Sequence, residues 1–143
     1  MKLLARVLVA FFCLAAAWPV QAEPGNLDSA GMFALGGIGV AGTMSAGERA
    51  LRDVLHEPNA VARLEALISS ASPAGKLYAL LGLRLRDRSA YERALEKCRS
   101  IDAKVETARG CMLSQELFRD LVKEIERGQY DTFLERKWPD NAR

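Results

Sequence analysis

The stretch SPAGKLYALLGLRLRDRSAYERALEKC, Ser72 to Cys98, sets the expected fold class. Ser72 can cap a helix, and Pro73 stands at its first position, where the missing N–H costs nothing. Leu77, Tyr78, Leu80, Leu81, Leu83 and Leu85 follow and are apolar on most sides, which predicts a central buried helix. Ser89 and Glu92 form a capping box that opens another helix through Tyr91, Ala94, Leu95 and Cys98. Two capped helices with so short a link predict an antiparallel pair.

Working outward, the same signals repeat. Upstream, Ser45 and Glu48 make a capping box before Leu51, Val54 and Leu55, and this helix should stop near His56, ahead of Pro58. Asn59 can cap a second helix, with Val61, Leu64, Leu67 and Ile68 at helical spacing. Downstream, Ser114 opens a helix carrying Leu117, Phe118, Leu121, Val122 and Ile125, and Gly128 is placed to end it. Between Ser100 and Leu113 the periodicity fails. Val105, Thr107 and Arg109 alternate weakly, so a short strand is open there, but a loop tied by a disulfide between Cys98 and Cys111 is the preferred reading. Tyr130, Phe133, Leu134 and Trp138 give the tail enough apolar surface that part of it should dock. The expectation is an all-α fold: one compact bundle of about five helices built from antiparallel pairs. The helical domain should cover 45–138, after a polar lead-in and apolar glycine-rich segment at 23–44 and before a frayed tail at 139–143.

Tyr78, Leu81, Gly82, Leu85, Tyr91, Ala94 and Leu95 resemble one tetratricopeptide unit in their aromatic, Leu-Gly, then Ala order. No second copy stands 34 residues away in either direction, and one unit cannot bury its own face. The resemblance implies a helical hairpin in which Gly82 lets the two helices close up, not a repeat array.

Met1 to Ala22 reads as a cleavable signal peptide. Lys2 and Arg6 are followed by an uncharged core from Val7 to Trp18, then Pro19 and the small-residue pattern Val20-Gln21-Ala22. The core is shorter than the roughly 20 apolar residues a bilayer span needs. Cleavage would take 22 of the 143 residues, leaving 121 with 18 basic and 18 acidic side chains. A neutral domain gives no case for nucleic-acid binding, which needs a basic face, and no stable membrane span remains after cleavage. The brevity of the signal points to a bacterium, hence the periplasm or the medium. Cys13 leaves with the signal, and Cys98 and Cys111 are then expected to form one disulfide, since export exposes them to an oxidising compartment.

Gly31 to Thr43 is uncharged and apolar, with glycines at 31, 36, 37, 39 and 42. So much glycine opposes a helix, so an extended or irregular buried segment is expected. Gly37-x-Gly39-x-x-Gly42 superficially matches a dinucleotide fingerprint, but the parallel sheet and second-strand acid that fingerprint requires are missing. Phe33, Leu35, Ile38 and Val40 are instead marked as a possible partner surface. So are Arg84, Arg86 and Arg88, from a basic run that includes Arg93, Lys97 and Arg99. The catalytic search finds no motif. His56 is the only histidine, there is no nucleophile elbow, and the Asp53/Glu57 and Glu116/Asp120 pairs at i,i+4 read as solvated helix faces. No metal site, phosphate loop or cofactor is indicated. These features together point to an exported, non-enzymatic binding or accessory protein of the bacterial envelope with another protein as partner. The other expectations are an inhibitor or immunity-type partner of a secreted enzyme, a secreted protein acting on another cell, and an enzyme with an unrecognised site. The oligomeric state is not legible.

Overall fold

A computed structural model describes residues 25–137, so the signal-peptide assignment and the tail from Trp138 lie outside the described residues. The fold is mixed α/β, which corrects the all-α expectation. Its helices are α1 (Ala46–His56), α2 (Ala60–Ser70), α3 (Pro73–Arg86), α4 (Arg88–Cys98), α5 (Phe118–Glu126) and the short α6 (Asp131–Glu135). Its strands are β1 (Met32–Phe33), β2 (Lys104–Arg109) and β3 (Met112–Leu117). They form one mixed sheet in the order β1-β2-β3, with β1 parallel and β3 antiparallel to β2.

The helical caps explain where most boundaries fall. Ser45 Oγ accepts from the Glu48 N–H and Ser72 Oγ from the Gly75 N–H, as expected of both serines. Asn59 precedes α2 but makes no side-chain cap. The cap of α4 is Asp87, two residues before the expected Ser89: its Oδ1 accepts from the Ala90 N–H at 2.9 Å. As expected, α5 stops before Gly128, whose N–H reaches the Ile125 carbonyl while the Gln129 N–H reaches that of Glu124.

The central-helix expectation for α3 is met. Leu77, Tyr78, Ala79, Leu80, Leu81 and Leu83 are wholly buried, and α3 packs against α1, α2, α4, α5, β1 and β2. Gly82 does permit a close approach, but to α1 and α2 rather than α4. A Cβ there would lie 2.9 Å from a Leu64 methyl and 3.0 Å from one of Leu51.

The region between Cys98 and Phe118 overturns the disulfide-tied loop. It is a β-hairpin, and Ser114 to Leu117 belong to β3 rather than to the start of α5. Gly110-Cys111 is the two-residue turn. Gly110 has φ +58° and no non-glycine residue among the described residues has positive φ, which matches the glycine-first hairpin turn. The disulfide is absent, and both cysteines are free. Cys98 ends α4 inside the core, while Cys111 is exposed at the hairpin tip, beyond the six residues of β2. Six extended residues span about 20 Å, whereas bonded cysteines need Cα atoms within roughly 7 Å.

Candidate functional site

Two polar clusters hold the glycine-rich segment and the tail to the helices. The first is buried. Tyr78 OH donates to the Ala34 carbonyl at 3.0 Å and accepts from the Ala34 N–H at 2.8 Å, while Ser45 Oγ donates to the same carbonyl at 2.7 Å. One turn on, the fully buried Glu48 accepts from the Gly36 N–H at 2.9 Å and pairs with Arg52 at 2.8 Å. Arg52 spends its remaining donors on the carbonyls of Phe133, Leu134 and Arg136, the last turn of α6 and its exit. One carboxylate and one guanidinium therefore join the glycine segment, α1 and the tail. Burial pushes the Tyr78 hydroxyl above the ordinary phenol range, the Ser45 and Ala34 hydrogen bonds opposing it only in part.

The second cluster sits on the core face of the hairpin. Directly opposed residues share a face, so Val105, Thr107 and Arg109 align with Glu116, Ser114 and Met112. Thr107 Oγ1 lies 2.8 Å from both Ser114 Oγ and Glu116 Oε1. Arg109 pairs with Glu124 at 2.8 Å and Glu116 at 3.4 Å, and Tyr130 OH donates to Glu124. Burial is the first cause of a strongly raised Tyr130 pKa, and the Glu124 carboxylate adds to it. Beside this cluster lies a cleft of about 180 Å³ walled by Phe33, Tyr130 and Phe133, with the backbone of Gly36 and Gly37 on its rim. Tyr130 is held neutral, Arg109 is spent on two carboxylates, and no histidine stands beside Thr107 or Ser114. The arrangement orders the hairpin; it does not assemble a nucleophile with a base.

The two edges of the sheet differ. On one side β2 is covered by β1 and then by Ile38, which bridges Gly110, while the Gly39 N–H donates to the Gly110 carbonyl at 2.9 Å. On the other side β3 has no neighbour among the described residues, and Met112 to Gln115 are all exposed. A two-residue hairpin closes on a hydrogen-bonded pair, here Arg109 and Met112. The alternation then turns the backbone groups of Leu113, Gln115 and Leu117 away from β2. Met112 and Leu113 are 76% and 75% exposed, and Val40, at the tip of the adjoining glycine loop, is 99% exposed.

The partner residues named from the sequence scatter. Phe33 and Leu35 are core residues, as a buried segment requires, and this takes them out of the partner surface. Ile38 is half-buried, and only Val40 is a free apolar surface. The fingerprint-like glycines form a small turn closed by the Ile38–Thr43 bridge. The basic run is largely occupied. Arg84 pairs with Asp131, Arg86 donates to the Leu55 carbonyl, and Arg88 and Arg93 pair with Glu92 and Glu65. His56 is exposed, its Nδ1 donating to the Arg52 carbonyl at 2.6 Å. Glu116 and Asp120 do not share a helix face, since Glu116 is in β3 and Asp120 pairs with Lys123 in α5. Sequence reasoning missed Met112 and Leu113, which carry an alternation signal too weak to separate from loop. Among the described residues no three potential ligands cluster to hold a metal, and no helix is long and apolar enough to cross a membrane. No family model, no curated protein and no solved structure matches the chain.

Proposed function

We propose that this is an exported, non-enzymatic binding protein of the bacterial envelope that takes a partner protein along the free edge of β3. The observation that carries the reading is that edge: six residues long, unpaired among the described residues, and bearing Met112 and Leu113 largely in solvent. Soluble proteins usually blunt such an edge with proline, lysine or an outward charge. β3 has no proline or lysine, and its one charge, Glu116, is turned to Thr107 and Arg109. An unblunted edge is a template for strand addition, in which main-chain hydrogen bonds supply affinity and alternate side chains supply selectivity. The fitting partner is an extended segment with apolar side chains at alternate positions, placed to meet Leu113. Export rests on the basic, apolar, small-residue order of Met1 to Ala22.

The test compares capture from a periplasmic fraction by the wild type and by Gln115→Pro. This proline removes an outward N–H without touching a β2–β3 hydrogen bond. The partner captured by the wild type should be lost by Gln115→Pro and kept by an Arg88→Ala control. Equal capture by all three proteins would remove the β3 reading. Export is checked by N-terminal sequencing of the protein recovered outside the cytoplasm, which should begin at Glu23. Retention of Met1 in a cytoplasmic pool would remove that part.

A further inference from the structure

Between α1 and the exit of α6 lies an open cleft of about 690 Å³, with Met44 and His56 among its lining residues and none from β3. Its walls carry Arg49, Arg52, Arg136 and Lys137 against Asp53 and Glu135. Arg52 is already neutralised by Glu48 and saturated by three carbonyls. The other three cations form no ion pair among the described residues, whereas Arg63, Arg84, Arg88, Arg93, Arg99 and Arg109 all do. Arg49 is the unusual one. Its Nε is buried and has no hydrogen-bond partner among the described residues. A buried donor left unmatched costs about 1–3 kcal/mol, and more when it belongs to a charged group. The fork of Nε and a terminal nitrogen matches two oxygens of one carboxylate or phosphate.

We infer that this cleft binds a small oxyanion group, carboxylate or phosphate, with Arg49 as the bidentate donor and Arg136 and Lys137 as flanking charges. Asp53 and Glu135 lie on the wall and set a limit on how many negative charges the ligand can carry. The ligand sits apart from the β3 edge, so this site stands whether or not that edge takes a partner.

The experiment follows the Arg49 Nε–H resonance of the ¹⁵N-labelled protein during titration with inorganic phosphate and, separately, with succinate, against sodium chloride at matched ionic strength. A saturable shift of that resonance is expected with at least one of the two anions and not with chloride. Saturation by phosphate alone assigns a phosphoryl ligand; saturation by succinate, a carboxylate one. Arg49→Lys, followed with the wild type through the backbone amides of the cleft residues, keeps the charge but loses the fork, and should weaken binding about tenfold or more, the effect of one charge-assisted hydrogen bond. If Arg49→Lys does not fold, the Arg136→Gln/Lys137→Gln variant should still weaken saturation several-fold. A shift that never saturates or that chloride reproduces would overturn the site, as would backbone-amide shifts of the cleft residues that saturate at the same anion concentration in Arg49→Lys.

Discussion

Helix α3 and the hairpin β2–β3 lie in contact, yet they are opposite kinds of structure. Every backbone bond of α3 is made within a few residues, and nine of its residues are buried. The hairpin gets its order from elsewhere: β1 and Ile38 along one edge, Arg109, Glu124 and Tyr130 beneath it, and no described residue along the other edge. The helix is specified locally and by burial. The hairpin is specified by a few polar contacts that leave its outer strand free to pair.

The sharpest way to break this contrast is through the residue that anchors the glycine segment to the helices. Glu48→Ala removes the acceptor for the Gly36 N–H and leaves Arg52 without its carboxylate. Losing one partner of a buried pair costs about 3–5 kcal/mol. Urea unfolding should show a loss of that order, with the α6 region losing hydrogen-exchange protection first. A loss under about 1 kcal/mol would mean that Glu48 is not the strut.

That residue also shows what was legible in the sequence. Ser45-x-x-Glu48 announced a helix start, and the cap is there. The same motif could not announce that the Glu48 carboxylate would reach Gly36 and, through Arg52, the tail. Those contacts span 12 and more than 80 residues of chain. Helices α1 to α4 were readable because a period of 3.6 shows wherever one face is buried. The hairpin was not. Only Val105, Thr107 and Ala108 are buried in β2, and no residue of β3 is. A strand without a buried face writes no alternation into its sequence. The two cysteines then supplied a plausible but wrong reason for order in that region. The β3 edge was unreadable for the same cause that makes it available, namely that no described residue pairs with it.

A smaller break targets the turn. Gly110 has φ +58°, and a Cβ there would meet open space, so a side chain is opposed by backbone conformation and not by crowding. Gly110→Ala should therefore cost about 1–2 kcal/mol. The loss should appear as weakened protection of the Gly39 amide, which donates to the Gly110 carbonyl, while amides in α3 keep theirs. Uniform loss across both regions would mean that the hairpin and α3 unfold as one unit.

Alkaline pH should separate the same regions more gently. Burial raises the pKa of both Tyr78, under α1, and Tyr130, under the hairpin. A phenol with a raised folded-state pKa contributes stability that is present below its unfolded value, about 10, and is lost as pH rises through the folded value. Stability should hold to about pH 9 and fall above it. Tyr130→Phe should flatten the part of this fall that tracks hairpin signals and leave the part that tracks α1. An unchanged profile in Tyr130→Phe would assign the alkaline loss to Tyr78 and the helical layer alone.

The smallest expected effect is the most pointed, because it concerns the cysteines that the sequence joined and the structure keeps apart. A disulfide closing the Cys98–Cys111 loop would be worth roughly 3 kcal/mol. Free thiols imply instead that Cys111→Ser, at an exposed turn position, changes stability by less than about 0.5 kcal/mol. Cys98→Ser should cost more, since it puts a hydroxyl into a wholly buried site at the end of α4. The thiols should also react at different rates. Burial pushes the Cys98 thiol up to about 11, so at pH 8 it carries little thiolate and no solvent access. In the native protein an alkylating reagent should therefore modify Cys111 quickly and Cys98 only on unfolding. Equal protection of both, relieved by a reductant, would restore the bond between them. The hairpin would then be a region tied covalently to the helices, and its contrast with α3 would disappear.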